Sequence, residues 1–282
     1  MRFATVLYNG VPHLVAALDE QSPRLIEGFT DMFGILSAPR PTLEAAYANG
    51  KPLPETGWRW LAPLPRPGKI IAIGLNYADH CRETGQQPPE KPLIFAKLNS
   101  SVIGNGDVIE WDPSITNRVD YEAELAVVIG KETRLVSEEN ALSHVFGYMA
   151  ANDVSARDLQ AGDGQWTRAK GMDTFCPLGP WLVSADEIPD PQNLAIRCTV
   201  NGEVRQASNT SEMIFGVKAI ISYVSRVFTL YPGDVILTGT PSGVGNVMQP
   251  PRLLTDKASV VVEIEKLGRL ENICRELTFR VR

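Results

Sequence analysis

In the stretch Asp120-Tyr121-Glu122-Ala123-Glu124-Leu125-Ala126-Val127-Val128-Ile129-Gly130, two glutamates lead into a β-branched apolar run that stops at glycine. The second half has the composition of a buried strand. Residues two apart on a strand share a face, so Glu122 and Glu124 stand side by side. Ionised carboxylates are costly in an apolar interior unless they are paired or bind a metal. Two readings follow from the spacing: a solvated strand end, or a pair that shares a divalent cation. Asp153 adds a third carboxylate, at the end of the apolar and aromatic segment Val145–Asn152. Oxygen-only ligands select hard cations, which puts Mg²⁺ first, Mn²⁺ second and zinc outside the expected range. Lys170 is the only nearby amine in sequence. Beside a metal its charge would polarise a substrate oxygen; without one it makes a structural salt bridge.

A second cluster lies in Leu75-Asn76-Tyr77-Ala78-Asp79-His80-Cys81-Arg82-Glu83-Thr84-Gly85. Asp79 can cap a helical turn there and Gly85 can end it. His80 and Glu83, at i and i+3, then share a face. A carboxylate so placed orients the imidazole and raises its proton affinity, which suits a general base. The same H-x-x-E spacing also occurs on inert surface helices. The Gly- and Pro-rich residues 85–92 read as a mobile lid. Residues 238–245, Thr-Gly-Thr-Pro-Ser-Gly-Val-Gly, form a Gly-rich loop but lack the G-x-x-x-x-G-K-[ST] pattern of a phosphate loop.

The elements that must position these groups are mostly short strands. Phe3–Tyr8 and His13–Leu18 flank Asn9-Gly10 as a hairpin, and Ile196–Val200 and Val204–Gln206 do the same around Asn201-Gly202. His13 reads as a surface strand residue and His144 as a packed or solvent-facing one. One or two short helices are expected between Ile26 and Asn49, one from Ser137 to His144, and an amphipathic one over Met213–Phe228. Further strands are expected at 69–74, Pro92–Lys97, Trp181–Val183, Val235–Leu237, Val260–Lys266 and Leu277–Val281. The Pro-rich passage from Lys51 to Gly68 reads as an extended linker. It divides a small N-terminal domain, 1–65, from a main domain, 66–282. Many short strands, Gly/Pro turns and few helices describe a β-rich α+β fold.

Composition narrows the function classes. The 282 residues can bury a substantial core, and a net charge of −6 offers no electrostatic case for nucleic acid. Four scattered cysteines without a C-x-x-C pair read as reduced thiols. No secretory leader and no apolar run of membrane-spanning length is evident, so a cytoplasmic protein with no membrane partner is expected.

Five segments together resemble the fumarylacetoacetate hydrolase family, in the family's order. They are Gly74-Leu75-Asn76-Tyr77-Ala78-Asp79-His80, Tyr121-Glu122-Ala123-Glu124-Leu125, Asn152-Asp153-Val154-Ser155-Ala156-Arg157-Asp158, Trp166-Thr167-Arg168-Ala169-Lys170-Gly171 and Leu237-Thr238-Gly239-Thr240-Pro241. The resemblance runs from about Lys69 to the C-terminus, and residues before Pro63 resemble the family's variable N-terminal domain. It departs at Thr255-Asp256-Lys257-Ala258, where members often have Pro-Gly-Asp; this is a surface turn.

The resemblance implies a mixed β-roll, a homodimer, and Mg²⁺ held by Glu122, Glu124 and Asp153. It implies that His80 and Glu83 form a catalytic dyad on a lid and that Lys170 contacts substrate or metal-bound water. Arg157, Gln160 and Thr240 would line the pocket, with Thr174 a less secure match. Family members act on 2-oxo acids. The expected reaction is hydrolysis of a carbon–carbon bond in a 2,4-dioxo acid, an acylpyruvate or a diketo-deoxy sugar acid, giving pyruvate and a carboxylic acid. The alternatives are decarboxylation of an oxaloacetate-like acid and isomerisation or hydration of an unsaturated oxo-diacid at the same metal site. A non-catalytic binding protein would be expected to have lost one of these acids or Lys170.

Overall fold

The computed structural model describes residues 1–19 and 21–278. Its frame is a large mixed sheet whose middle strand is Ala123–Ile129, between Val145–Asn152 and Val235–Leu237, both antiparallel to it. Beyond Val235–Leu237 lie Ile70–Gly74, in parallel, and then the edge strand Leu93–Lys97. On the other side Val145–Asn152 pairs with Cys176–Ser184. A second sheet runs in the order Glu203–Asn209, Ala195–Val200, Ser259–Ile264, Gly268–Glu276, Val108–Trp111. The architecture is the β-rich α+β fold that the strand pattern predicts.

Strand periodicity explains how acids reach the interior. Along the middle strand Ala123, Leu125, Val127 and Ile129 enter a core shared with Ile196, Val260 and Val262 of the second sheet. Ala126 and Val128 point the opposite way, into a core with Met32, Ile35 and Leu43. Glu124 and Glu122 have the parity of Ala126, so they continue the second face toward the strand's beginning. On the neighbouring strand Met149 and Ala151 share that second core, and Asp153 continues their parity. Register completes the meeting: Glu124 pairs with Ala151 and Ala123 with Asn152. The Asp153 N–H then donates to the Glu122 carbonyl at 2.9 Å.

The two Asn-Gly hairpins form as their turn chemistry requires. Asn9 and Gly10 have φ of 52° and 76°, and Asn201 and Gly202 have 52° and 79°. These positive values suit a two-residue turn of the twist-matched kind. Residues 1–65 add strands to the main sheet: Arg2–Tyr8 pairs with Cys176–Ser184 through Arg2 and Phe3. The Pro-rich passage is not wholly a linker, because Trp58–Leu61 within it pairs along Arg2–Tyr8.

Other local expectations are revised. The amphipathic helix covers only Val217–Ser225. Its expected first turn is tied elsewhere: Asn76 Oδ1 accepts the Phe215 N–H, and the Ile214 N–H donates to the Asn76 carbonyl. The helix expected from Ser137 to His144 is a single turn, Glu138–Ala141, followed by a tighter turn at Leu142–His144. The last strand is Gly268–Glu276, not Leu277–Val281. Lys266 and Gly268, both with positive φ, turn the chain back immediately after Ile264, so pairing resumes earlier. Residues 279–281 of that expected strand lie outside the described residues.

Candidate metal and proton-transfer site

Glu122, Glu124 and Asp153 each present a carboxylate oxygen within 4.8 Å of the others, and all three are buried. Lys170, from the short helix Thr167–Lys170, reaches over them. Its Nζ donates to Glu122 Oε2 at 2.8 Å, Asp153 Oδ2 at 2.7 Å and Ser155 Oγ at 2.8 Å. Arg157, at the start of helix Arg157–Asp163, places Nη1 at 2.6 Å from Glu122 Oε1 and Nε at 2.9 Å from Asp120 Oδ2. Burial would raise the Glu122 carboxyl, but Lys170 and Arg157 outweigh it and hold it down at about 2. Burial alone would discharge Lys170; Asp153 and Glu122 keep its ammonium charged, with a raised pKa.

Lys170 is not the sole amine at this cluster. Lys97, at the end of the edge strand and 3% exposed, places Nζ at 2.5 Å from Asp153 Oδ1 and also donates to the Lys170 carbonyl. No sequence pattern identified it. It lies more than fifty residues from Asp153, and only the pairing of Leu93–Lys97 with Ile70–Gly74 carries it there.

Glu124 differs from its neighbours. Among the described residues it accepts from one backbone donor, the Gly239 N–H at 2.7 Å. Burial, with Asp153 and then Glu122 close by, pushes its carboxyl well above the ordinary range. Such a group takes a proton or shares a cation. An oxygen-only, three-carboxylate set with one unneutralised member fits a hard divalent ion.

A cavity of about 350 Å³ opens over the cluster. Glu122, Glu124 and Lys170 line it together with Arg157, Gln160 and Thr240, and His80 stands on its wall. Arg157 Nη1 donates to Gln160 Oε1 at 3.0 Å, while the buried Nη2 has no hydrogen-bond partner among the described residues. Thr240 is fixed from both sides: it donates to the Ala123 carbonyl at 3.0 Å and accepts from Gln206 Nε2 at 2.8 Å. Phe95 and Trp166, packed edge to face at 5.3 Å, form an apolar part of the wall. Asp153 is buried behind the lining. Thr174 is not part of the cavity lining; its hydroxyl accepts the Glu110 N–H and its positive φ marks a turn.

His80 and Glu83 lie on helix Ala78–Thr84, closed by Gly85 at a φ of 67°. His80 Nδ1 is 3.0 Å from Glu83 Oε2. Because a carboxylate only accepts, Nδ1 is the donor in this contact, and a neutral ring then carries its lone pair on Nε2. The other Glu83 oxygen accepts the Gly243 N–H at 2.8 Å. Asp79 does not cap this helix. It is the second helical residue, and its carboxylate accepts from Ser208 and Ser242 instead. His144 bonds Thr133 Oγ1 through Nδ1 at 2.9 Å, away from the cavity.

Known proteins match this arrangement over most of the chain. Residues 69–275 match the fumarylacetoacetate (FAA) hydrolase C-terminal family. The mitochondrial oxaloacetate tautomerase FAHD2A of Bos taurus is 50% identical over 222 residues, covering 78% of this chain and 70% of that protein. Among solved structures, fumarylacetoacetate hydrolase from Exiguobacterium antarcticum is 36% identical, with a TM-score of 0.88 over 98% of this chain and 100% of that one. The 5-carboxymethyl-2-hydroxymuconate delta-isomerase of Mycobacterium smegmatis is 37% identical, with a TM-score of 0.81 over 99% and 100%. No helix among the described residues is long and apolar enough to cross a membrane. With the family match spanning most of the chain and the acidic cluster, Lys170 and the helix Ala78–Thr84 inside it, this chain belongs to the fumarylacetoacetate hydrolase family.

Proposed function

We propose that this protein is a divalent-metal-dependent enzyme that interconverts the keto and enol forms of a 2-oxo acid, oxaloacetate in the first instance. The observation that carries this reading is the placement of a carboxylate-oriented imidazole on the wall of the cavity that Glu122, Glu124 and Lys170 line. Half-identity to an oxaloacetate tautomerase supports the choice of acid.

Glu122, Glu124 and Asp153 would hold a divalent ion, Mg²⁺ or Mn²⁺, which would supply Lewis-acid polarisation to a bound 2-oxo acid. Arg157 offers its unpartnered Nη2 to a carboxylate, and the Gln160 oxygen already bonded to Nη1 leaves that amide's NH₂ free to donate. His80 Nε2 takes the proton from the carbon next to the carbonyl. The electrons of that C–H bond become the enolate, and its negative charge develops toward the Lys170 ammonium. A proton from solvent then adds to the enolate oxygen to give the enol while the His80 imidazolium returns its proton to water, and the reverse order restores the ketone. Glu83 stabilises the imidazolium formed on the way.

Carbon–carbon hydrolysis of an acylpyruvate is the second reading. The His80–Glu83 pair is the observation that favours it, since a base that abstracts a proton from carbon can also abstract one from water. We also propose a homodimer: Leu98, just past the edge strand Leu93–Lys97, is exposed and shares a surface pocket with the exposed Phe228.

The test is to add enolic oxaloacetate to protein loaded with Mg²⁺ and follow loss of enol ultraviolet absorbance, with acylpyruvates assayed in parallel for pyruvate release. Metal-dependent acceleration of enol loss with no pyruvate release supports the tautomerase reading. Pyruvate release from acylpyruvates without acceleration of tautomerisation replaces it with the hydrolase reading.

A further inference from the structure

The Gly-rich loop 238–246 touches both halves of the site. Toward the acidic strand, Gly239 N–H donates to Glu124, Thr240 to the Ala123 carbonyl, and the Gly245 and Asn246 N–H groups to the two oxygens of Asp120. Tyr121, between Asp120 and Glu122, donates its hydroxyl to the Gly243 carbonyl at 3.0 Å. Toward the lid helix, the Gly243 N–H donates to Glu83 Oε1 at 2.8 Å, and the Ser242 N–H and hydroxyl each reach Asp79 at 3.3 Å. One residue, Gly243, thus links the segment bearing the acids to the carboxylate that orients His80.

Asp79 is the helix's main attachment. It is partly buried, and its Oδ2 accepts from Ser208 Oγ at 2.6 Å, on strand Glu203–Asn209 of the second sheet. Its Oδ1 accepts the His80 N–H at 2.7 Å. Among the described residues the helix's other charged side chains meet the body through Glu83, which accepts the Gly243 N–H, and through Arg82 with Glu212 at 2.8 Å, where the side chains are 67% and 38% exposed. An exposed pair of that kind contributes little. Hydrogen bonds to a charged carboxylate away from bulk water are stronger. Gly243 has the conformation and the space that the junction needs: its φ is +99°, and a Cβ there would run into the Arg205 carbonyl.

We propose that Asp79 is a positioning residue: it latches the His80–Glu83 helix to Ser208 and the Gly-rich loop, so that docking of the helix and alignment of the dyad are one event. Asp79 lies outside the cavity lining and acts through Glu83 and His80. The latch rests on the reading that this dyad moves the substrate proton, but its physical core is the docking itself.

The test uses the full chain with Asp79→Ala and, from the opposite side of the contact, Ser208→Ala. Amide hydrogen exchange over residues 78–84 is measured together with Mg²⁺ affinity and the kinetics of oxaloacetate enol loss. Losing a hydrogen-bonded charge should speed exchange of the helix roughly 10- to 100-fold in D79A, with a smaller rise in S208A. Turnover should fall by a similar factor while Mg²⁺ affinity stays within about twofold. Asp79→Asn, which keeps one carbonyl acceptor, should recover part of both losses. If D79A does not fold, S208A decides: faster helix exchange supports the latch, and unchanged exchange overturns it. Unchanged exchange in a folded D79A, or loss of turnover only in step with loss of Mg²⁺ affinity, likewise overturns it. Failure of the wild-type protein to act on any 2-oxo acid removes the catalytic reading, and helix exchange still decides the docking.

Discussion

The two acidic sites of this molecule are built on opposite principles. Glu122 and Asp153 are buried under fixed cations, with Lys170, Lys97 and Arg157 all within 2.8 Å of one or the other. Glu83 is on a short helix, with a partly exposed side chain, and its partners are an imidazole and one backbone N–H. The first arrangement cannot trade protons easily, because every shift in charge is opposed by neighbours that have no solvent to relax into. The second can, since a carboxylate-oriented imidazole has a second ring nitrogen free to exchange protons and both side chains are partly exposed. We therefore propose that holding charge and moving protons fall to different elements, which the Gly-rich loop joins.

If that division is right, variants on the two sides must fail differently. The largest effect is expected from Glu124→Ala, which removes the one carboxylate of the three-acid cluster without an ion-paired lysine or arginine. Divalent-ion binding by calorimetry should fall by at least about 100-fold, taking turnover with it. Retained ion affinity in E124A would place the ion elsewhere. His80→Ala should lower turnover roughly 10²- to 10⁴-fold and leave ion affinity intact. Lys97→Met should act on folding more than on chemistry. It strips Asp153 of a buried partner, a change that costs about 3–5 kcal/mol, so thermal unfolding should shift down by many degrees. An unshifted midpoint would mean that Asp153 finds another partner.

The smallest effect concerns pH in the metal-free protein. The Glu122 carboxyl is held at about 2 against an ordinary value of 4.5. A depressed folded-state value contributes stability that is fully present above the unfolded value and lost as pH falls through the folded one. Thermal midpoints should therefore decline between about pH 5 and pH 2, and Glu122→Gln should flatten that limb. An identical acid limb in the variant would assign the loss to other carboxylates.

How much of this was legible from sequence follows from what each feature depends on. The Glu122/Glu124 pair was readable because strand periodicity is local, and the parity that carries Asp153 to the same face is equally local. His80 with Glu83 was readable as a single helical turn. The two Asn-Gly hairpins were readable from turn chemistry alone. Lys97 was not, because its place depends on strand pairing between Leu93–Lys97 and Ile70–Gly74 and on their position in an order of ten strands. Asp79 was misread as a cap for a related reason. Its partners Ser208 and Ser242 lie more than a hundred residues away, and no local pattern announces them. The shortened helix Val217–Ser225 shows the same limit: apolar spacing continued upstream, but Asn76 had already taken the backbone groups.

The central claim is the separation of ion holding from proton movement, and one paired measurement on His80→Ala tests it most directly. Mg²⁺ affinity is determined by titration, and the rate of oxaloacetate enol loss is followed in the same preparation at saturating Mg²⁺. The account predicts wild-type affinity with a rate lowered at least about 100-fold. A variant that keeps the wild-type rate, or that loses ion affinity in proportion to rate, contradicts it.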